Sequence, residues 1–155
     1  MKNRFLYRVV FVLSLLLTVS CSTNDDDSPN NTVQIQQIEN TAEAGTWRVT
    51  NLMDSGEDET SDFNGYDFTF SDNGTVTATN GTTTYDGTWS VTADDSDDDD
   101  DSDVEFNLFF PVPDTDDFED LNDDWDIVSY SDNNINLIDI DDETGDRDIL
   151  TFEKN

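Results

Sequence analysis

Residues 66–78 read Tyr66-Asp67-Phe68-Thr69-Phe70-Ser71-Asp72-Asn73-Gly74-Thr75-Val76-Thr77-Ala78. Apolar side chains alternate with polar ones on both sides of Asp72-Asn73-Gly74, and a period of two is typical of half-buried strands. Asn and Gly tolerate the positive φ angles that tight hairpin turns need. This stretch therefore predicts a β-hairpin with one buried face.

The same alternation extends over most of the chain beyond residue 45. It predicts eight strands, at about residues 46–53, 65–71, 74–79, 83–92, 104–110, 124–131, 134–141 and 147–153. The connections between successive strands are short enough for antiparallel neighbours. We therefore predict a mainly β fold, an eight-stranded antiparallel meander that is closed or nearly closed into a barrel.

Two short helices are expected beside the strands. The first covers about residues 33–43, with Thr32 as its N-cap and its end at Gly45. The second covers about residues 116–122, before the last three strands, where Asp116 and Glu119 resemble a capping box. Bulky aromatic residues on the inward stripes of the strands are the predicted barrel-floor and core positions: Trp47, Phe68, Phe70, Trp89, Phe106 and Trp125.

The N-terminus has the layout of a secretory signal peptide. Basic residues stand within residues 2–8, an apolar run covers 9–19, and Ser20-Cys21 then leads into a polar stretch. The apolar run is too short to cross about 30 Å of hydrocarbon as a helix. The segment resembles the signal of bacterial lipoproteins, in which the cysteine after the cleavage site is lipidated. It predicts cleavage after Ser20 and a lipid anchor at Cys21.

The resemblance to lipoproteins implies a location in the outer membrane, held by the lipid on Cys21. The acidic residues Asp25–Asp27 follow shortly after this cysteine. They are similar to the surface-export tether of some Gram-negative lipoproteins, which implies exposure at the cell surface. The alternative is that they form a solvated linker, because runs of like charge are usually solvated. Both interpretations stay open at this stage.

The segment that starts at Gly45-Thr46-Trp47 resembles the lipocalin-like domain of bacterial lipoproteins, a calycin-type β-barrel. Such barrels carry Gly-x-Trp after a short helix, with the tryptophan closing the barrel floor. Residues 65–80 are similar to the second hairpin of these domains and residues 123–154 to their last three strands. The expected organisation is a signal peptide at 1–20, a lipidated cysteine and flexible acidic tether at 21–31, and a lipocalin-like domain at 32–155.

Composition excludes several classes of function. The chain has 38 acidic and 6 basic residues, a net charge of −32, and no histidine. A surface this acidic repels the phosphates of nucleic acid and favours a soluble monomer. Without histidine, and with its single cysteine lipidated, the chain lacks the residues of Ser-His-Asp or Cys-His catalysis and of common zinc sites. We expect no enzyme and no cofactor, although a carboxylate-dependent hydrolase is not excluded by composition.

The acidic tract at 94–103 lies between the fourth and fifth predicted strands. Calcium takes six to eight oxygen ligands, which such a tract supplies in excess. The tract lacks the spaced Asp, Asn and Gly positions of a calcium-binding loop. We therefore expect a solvated loop that associates weakly with Ca²⁺ and forms no defined site.

Two functions follow from these observations. The lipocalin-like resemblance implies binding of a small apolar ligand inside the barrel of a non-catalytic envelope lipoprotein. The alternative is a structural or adhesive surface lipoprotein with a filled barrel, acting through its acidic exterior and divalent cations. An eight-stranded barrel is wide enough for either outcome, so the packing of the interior decides between them.

Overall fold

A computed structural model of the chain describes residues 29–93, 104–141 and 144–155. The signal peptide, Cys21, the segment Asp25–Asp27 and the acidic tract at 94–103 lie outside these residues. Within these described ranges, helix α1 covers Pro29–Glu43 and is followed by nine strands. These are β1 (Trp47–Asp54), β2 (Glu57–Asp58), β3 (Asp67–Phe70), β4 (Thr75–Thr79), β5 (Thr84–Ala93), β6 (Val104–Phe109), β7 (Asp123–Ser131), β8 (Asn134–Ile140) and β9 (Arg147–Lys154).

Eight of these strands form a closed antiparallel barrel. Strands β1 and β3 to β9 pair in sequence order, and β9 returns to pair with β1, for example at Val49↔Phe152 and Leu52↔Leu150. The two-residue strand β2 only folds back on the end of β1. The predicted fold class, an eight-stranded meander barrel with a helix near its start, is therefore confirmed.

The connection between β1 and β3 differs from the prediction. It contains β2 and a 3₁₀ helix over Thr60–Phe63, neither of which the sequence pattern indicated. The chain reverses at Ser55 and Gly56, whose φ angles are 48° and 82°. Glycine adopts such angles without strain, which allows the tight reversal.

Both predicted helices need correction. Helix α1 begins at Pro29, so Thr32 lies within it and is not its N-cap, and part of the segment expected to be a flexible tether is helical. Proline is favoured in a first helical turn, because its missing N–H has no partner there in any case. The second helix is a three-residue 3₁₀ turn, Glu119–Leu121, with no side-chain cap. The aspartates around it are poor helix formers.

The two ends of the barrel are covered differently. Helix α1 lies across the end where β1 begins, and it buries Ile38 and Ala42 there. The long connection between β6 and β7 lies at the opposite end, where it buries Phe118 and Leu121. Within the described part of the chain, no helix has the length and apolar character that crossing a membrane requires.

The barrel interior is packed with aromatic rings. Phe70 contacts Trp89, Phe106 and Phe152 with ring centroids 5.2, 5.4 and 5.6 Å apart. Phe68 contacts Phe152 at 5.3 Å. All four of these pairs are edge-to-face, an arrangement that the charge distribution of aromatic rings favours. A continuous set of side chains therefore crosses the barrel from wall to wall.

Candidate functional site

Carboxylates line the barrel end at which β1 finishes. Strand alternation places Asp54 on the same face as the buried Leu52, and Asp123 on the same face as the buried Trp125. Strands β8 and β9 add a directly paired couple, Asp139↔Asp148. Two further carboxylates come from the neighbouring connections. We call this group the acidic rim; it consists of Asp54, Glu59, Asp120, Asp123, Asp139 and Asp148.

Three members of the rim are close enough to share one small cation. Asp54, Glu59 and Asp120 each offer a carboxylate oxygen, and these oxygens lie within 4.8 Å of one another. One carboxylate oxygen of Glu59, Oε2, is enclosed and has no hydrogen-bonding partner among the described residues. Closely spaced ionised carboxylates repel one another, so a proton shared between two of them, or a bound cation, would stabilise the group.

The pKa values follow from this crowding. A protonated Glu59 can donate a hydrogen bond to Asp120, and this bond, together with partial burial and the nearby charges, raises the pKa of Glu59 to about 7. Partial burial and the neighbouring charge of Asp148 raise the pKa of Asp54. Burial also raises the pKa of Asp123. Since each shift favours the protonated carboxyl, the rim holds its negative charge at a cost in free energy near neutral pH.

Among the described residues, no basic side chain forms an ion pair with the rim. Arg147 begins β9 at this end, but strand alternation places it on the outer face, opposite to Asp148. The ion pair that the described residues do form joins Arg48 and Glu153 at 3.0 Å. It is exposed and belongs to the opposite end of the barrel, where β1 begins. Hard divalent cations such as Ca²⁺ prefer carboxylate oxygen ligands. The rim is therefore chemically suited to a divalent cation, with Asp54, Glu59 and Asp120 as the candidate ligands.

An open groove of about 330 Å³ lies on the outer surface of the barrel, beside the middle of β5, the end of β6 and the start of β7. Asp123 is the one rim member among its lining residues. Phe109 contributes an aromatic side chain that is 55% exposed. The groove is thus separate from the filled interior.

The six aromatic positions that the sequence predicts as floor and core lie in the interior. Trp47, Trp125, Phe68, Phe70 and Phe106 are at most 2% exposed, and Trp89 is 6% exposed. Trp47 sits at the end covered by α1, where its indole N–H donates a hydrogen bond to the carbonyl oxygen of Ala42 at 2.8 Å. Cys21 lies outside the described residues.

Sequence reasoning did not find the acidic rim. Its residues are spread from Asp54 to Asp148 in a chain with 38 acidic residues, so no motif or spacing distinguishes them. One signal was present: in strand β1, alternation from Leu52 places Asp54 on the inner face. An inward carboxylate at a strand end is unusual, because charged groups are rarely buried without a partner.

Comparison with known proteins shows a likeness of fold. Neither a protein-family model nor a curated protein matches the chain. Among solved structures, the chain is similar to a DUF4847 family protein from Bacteroides vulgatus, with 19% sequence identity and a TM-score of 0.49. The match covers 76% of this chain and 97% of that protein. At this level of similarity, the comparison carries no argument about function.

Proposed function

We propose that the protein is a non-catalytic, lipid-anchored envelope protein whose filled barrel serves as a scaffold for an acidic, cation-associating exterior. The observation that carries this proposal is the aromatic packing of the interior. An eight-stranded barrel is just wide enough either to be filled by its own side chains or to hold one small ligand. The contacts of Phe68 and Phe70 with rings from several other strands support the filled alternative.

Phe118 supports the same conclusion at the rim end. Its ring lies over Tyr85 with centroids 3.9 Å apart, and it contacts Tyr66, Phe68 and Phe110 at 5.0, 6.1 and 5.1 Å. A carrier needs an apolar cavity of several hundred cubic ångströms with an entrance. Phe118 occupies the position that such an entrance would take on this side of the barrel.

The acidic rim supports the cation part of the proposal. A divalent cation shared by Asp54, Glu59 and Asp120 would replace their mutual repulsion by attraction and would favour their ionised forms. Glu59 and Asp120 are also a carboxyl pair of the kind that acid–base hydrolases use. Their carboxylate oxygens lie within 4.8 Å of each other, whereas the two carboxyls of glycosidases stand about 5 Å or more apart to accommodate the sugar. The pair therefore favours a cation over glycoside hydrolysis.

The anchor part of the proposal comes from the signal-like N-terminus and Cys21, the predicted lipidation site. A tether after Cys21 would place the barrel at the membrane surface. Divalent cations would then act between the acidic protein and other anionic groups of the envelope. This arrangement agrees with a net charge of −32, which otherwise repels anionic partners.

Thermal unfolding of the full chain, with and without millimolar CaCl₂ at matched ionic strength, tests the cation part. Calcium should raise the melting temperature of the wild type, because a ligand that binds the folded state stabilises it. The triple variant Asp54→Asn/Glu59→Gln/Asp120→Asn should lose this response. A matched variant with three exposed carboxyls removed elsewhere, Asp72→Asn/Asp117→Asn/Asp132→Asn, should keep it. An equal calcium response in both triple variants would contradict the assignment to the rim.

A further inference from the structure

We infer that the outer groove beside β5, β6 and β7 binds a neutral oligosaccharide. The groove measures about 330 Å³, at the lower limit of the range for small-molecule sites. Its lining combines an exposed aromatic ring with hydroxyl, amide and carboxylate side chains, and it includes no basic residue. The lining includes Thr88, Ser90, Asn107, Phe109, Asn122 and Asp124.

Strand register arranges these side chains as two rows on the outer sheet face. Thr88 of β5 pairs with Phe109 of β6. The next outward row consists of Ser90, Asn107 and Asp124, because Asn107 pairs with both of the others. The aromatic ring therefore lies beside a row of hydrogen-bonding groups. Because this row is carried on paired strands, its spacing is fixed before any ligand arrives.

The wall of the groove is also held in place. The side-chain Nδ2 of Asn122 donates a hydrogen bond to the carbonyl oxygen of Phe110 at 3.0 Å. The Oδ1 of Asn122 accepts a second bond, at 2.5 Å, from the backbone N–H of Phe110. Asn107 donates to the Thr92 hydroxyl at 3.0 Å, which orients its amide. A preorganised groove loses less entropy when a ligand binds. These bonds therefore favour a binding surface over a loop that would have to reorganise.

The lining chemistry selects the ligand class. A pyranose ring has a face of C–H groups that packs on an aromatic ring, and a belt of hydroxyls that both donate and accept hydrogen bonds. Phe109, which is 55% exposed, matches the first feature. Asn107, Ser90 and Asp124 match the second. Phosphorylated and carboxylated ligands are disfavoured, because the groove has acidic residues and no cation to pair with them.

This inference does not depend on the proposed function. The groove lies on the outside of the barrel, so it is compatible with a filled interior, and its main recognition residues are not the three candidate cation ligands. A failure of sugar binding would leave the filled-barrel proposal standing. A failure of the filled-barrel proposal would likewise leave the groove unaffected.

The test is a titration of the isotope-labelled full chain in detergent micelles, followed by amide NMR shifts. The probes are neutral tetrasaccharides: maltotetraose, cellotetraose, xylotetraose, mannotetraose and chitotetraose, each at about 5 mM, which fills most of a site with a Kd of 1 mM. We expect at least one of them to shift the amides of Ser90, Asn107 and Phe109. Tetralysine serves as the cationic probe and should leave these three amides unshifted in the same buffer.

Two variants at position 109 and one elsewhere complete the test. Phe109→Ala should weaken binding at least tenfold, and Phe109→Tyr should retain it because the aromatic face remains. Val128→Ala truncates another exposed apolar residue, on β7, and should bind as the wild type does. The inference is overturned if none of the sugars shifts these amides, if tetralysine alone shifts them, or if Phe109→Ala binds as tightly as the wild type.

Discussion

The indole Nε1 of Trp47 donates a hydrogen bond to the carbonyl oxygen of Ala42 at 2.8 Å, and both residues are fully buried. The bond joins the last turn of α1 to the first residue of β1. The ammonium group of Lys154, at the end of β9, lies 5.6 Å from the centroid of the same indole ring. One side chain thus connects the covering helix to the two strands whose pairing closes the barrel.

Trp47→Phe should destabilise the protein by about 2–4 kcal/mol, because it leaves the Ala42 carbonyl buried without a donor and vacates part of the core. Denaturant unfolding measures the loss. Hydrogen exchange should also show that the amides of α1 lose more protection than those of β8. Val128→Ala, at an exposed position, should change stability by less than about 0.5 kcal/mol. Unchanged protection of α1 in Trp47→Phe would contradict the role assigned to this bond.

Phe118→Ala should open a cavity at the rim end of the barrel. Removing a buried phenylalanine typically costs about 3–5 kcal/mol. The cavity should be apolar, because its walls would be Phe68, Phe110 and other rings. Such a cavity binds benzene, so benzene should raise the melting temperature of this variant and leave that of the wild type unchanged. Phe109→Ala, which truncates an exposed ring, is the control and should show no response to benzene.

Glu59→Gln should alter how stability depends on pH. The pKa of Glu59 is about 7 in the folded protein and is raised from 4.5, so the folded state binds more protons and loses stability as the pH rises between these values. The variant should therefore be more stable than the wild type above pH 7, by about 1 kcal/mol after allowance for solvent screening. The two proteins should converge below pH 4.5. Chemical unfolding at several pH values, without calcium, measures the difference.

Asp58→Asn is the control of opposite sign for this pH series. Hydrogen bonds from Thr60 lower the pKa of Asp58. Its ionised form therefore stabilises the folded state, and this contribution disappears as the pH falls through the lowered value. Asp58→Asn should be less stable than the wild type at neutral pH. A gain in stability for both variants at pH 8 would indicate general relief of negative charge and would contradict the specific account of Glu59.

Gly87→Ala should destabilise the barrel wall. A methyl group at this position would collide with the carbonyl oxygen of Phe109 and lie 2.9 Å from Cδ1 of Phe110, and neither the strand backbone nor the packed ring can move freely. Gly45→Ala is the matched control, since its methyl group would meet the flexible end of the Lys154 side chain. Thermal unfolding should show a clearly larger loss for Gly87→Ala. Equal losses would mean that the wall near Phe109 is less tightly packed than described.

The alternation of apolar and polar residues was sufficient to predict the barrel. In strand β6, for example, the inward residues Phe106 and Leu108 are apolar, and they pair with Val91 and Trp89 of β5, which also point inward. The chain from Ser55 to Phe63 was not predictable in this way, because its reversal depends on φ angles at Ser55 and Gly56 and not on a hydrophobic period. The start of α1 was missed because Thr32 offered an N-cap, although Pro29 at the first turn was the better signal.

The site was less predictable than the fold, for a physical reason. Acidic residues occupy so many positions that their sequence spacing contains no information about which ones converge. Asp54, Glu59 and Asp120 come together because β1, its folded-back end and the connection before β7 meet at one barrel end. The groove was only partly predictable: alternation places Phe109 on the outside, between the inward Leu108 and Phe110, but only the strand register shows which polar groups surround it.

The filled barrel is the central claim, and native mass spectrometry of the full-length protein, purified gently from its own host with and without a chelator, tests it most directly. The account predicts the mass of the protein alone, with calcium adducts that the chelator removes. A co-purifying mass of a few hundred daltons that survives the chelator would contradict the account if the interior binds it. In that case the mass should be lost from a variant with an altered interior, such as Phe70→Trp, and retained by Phe109→Ala. This result would show that the protein is a carrier barrel.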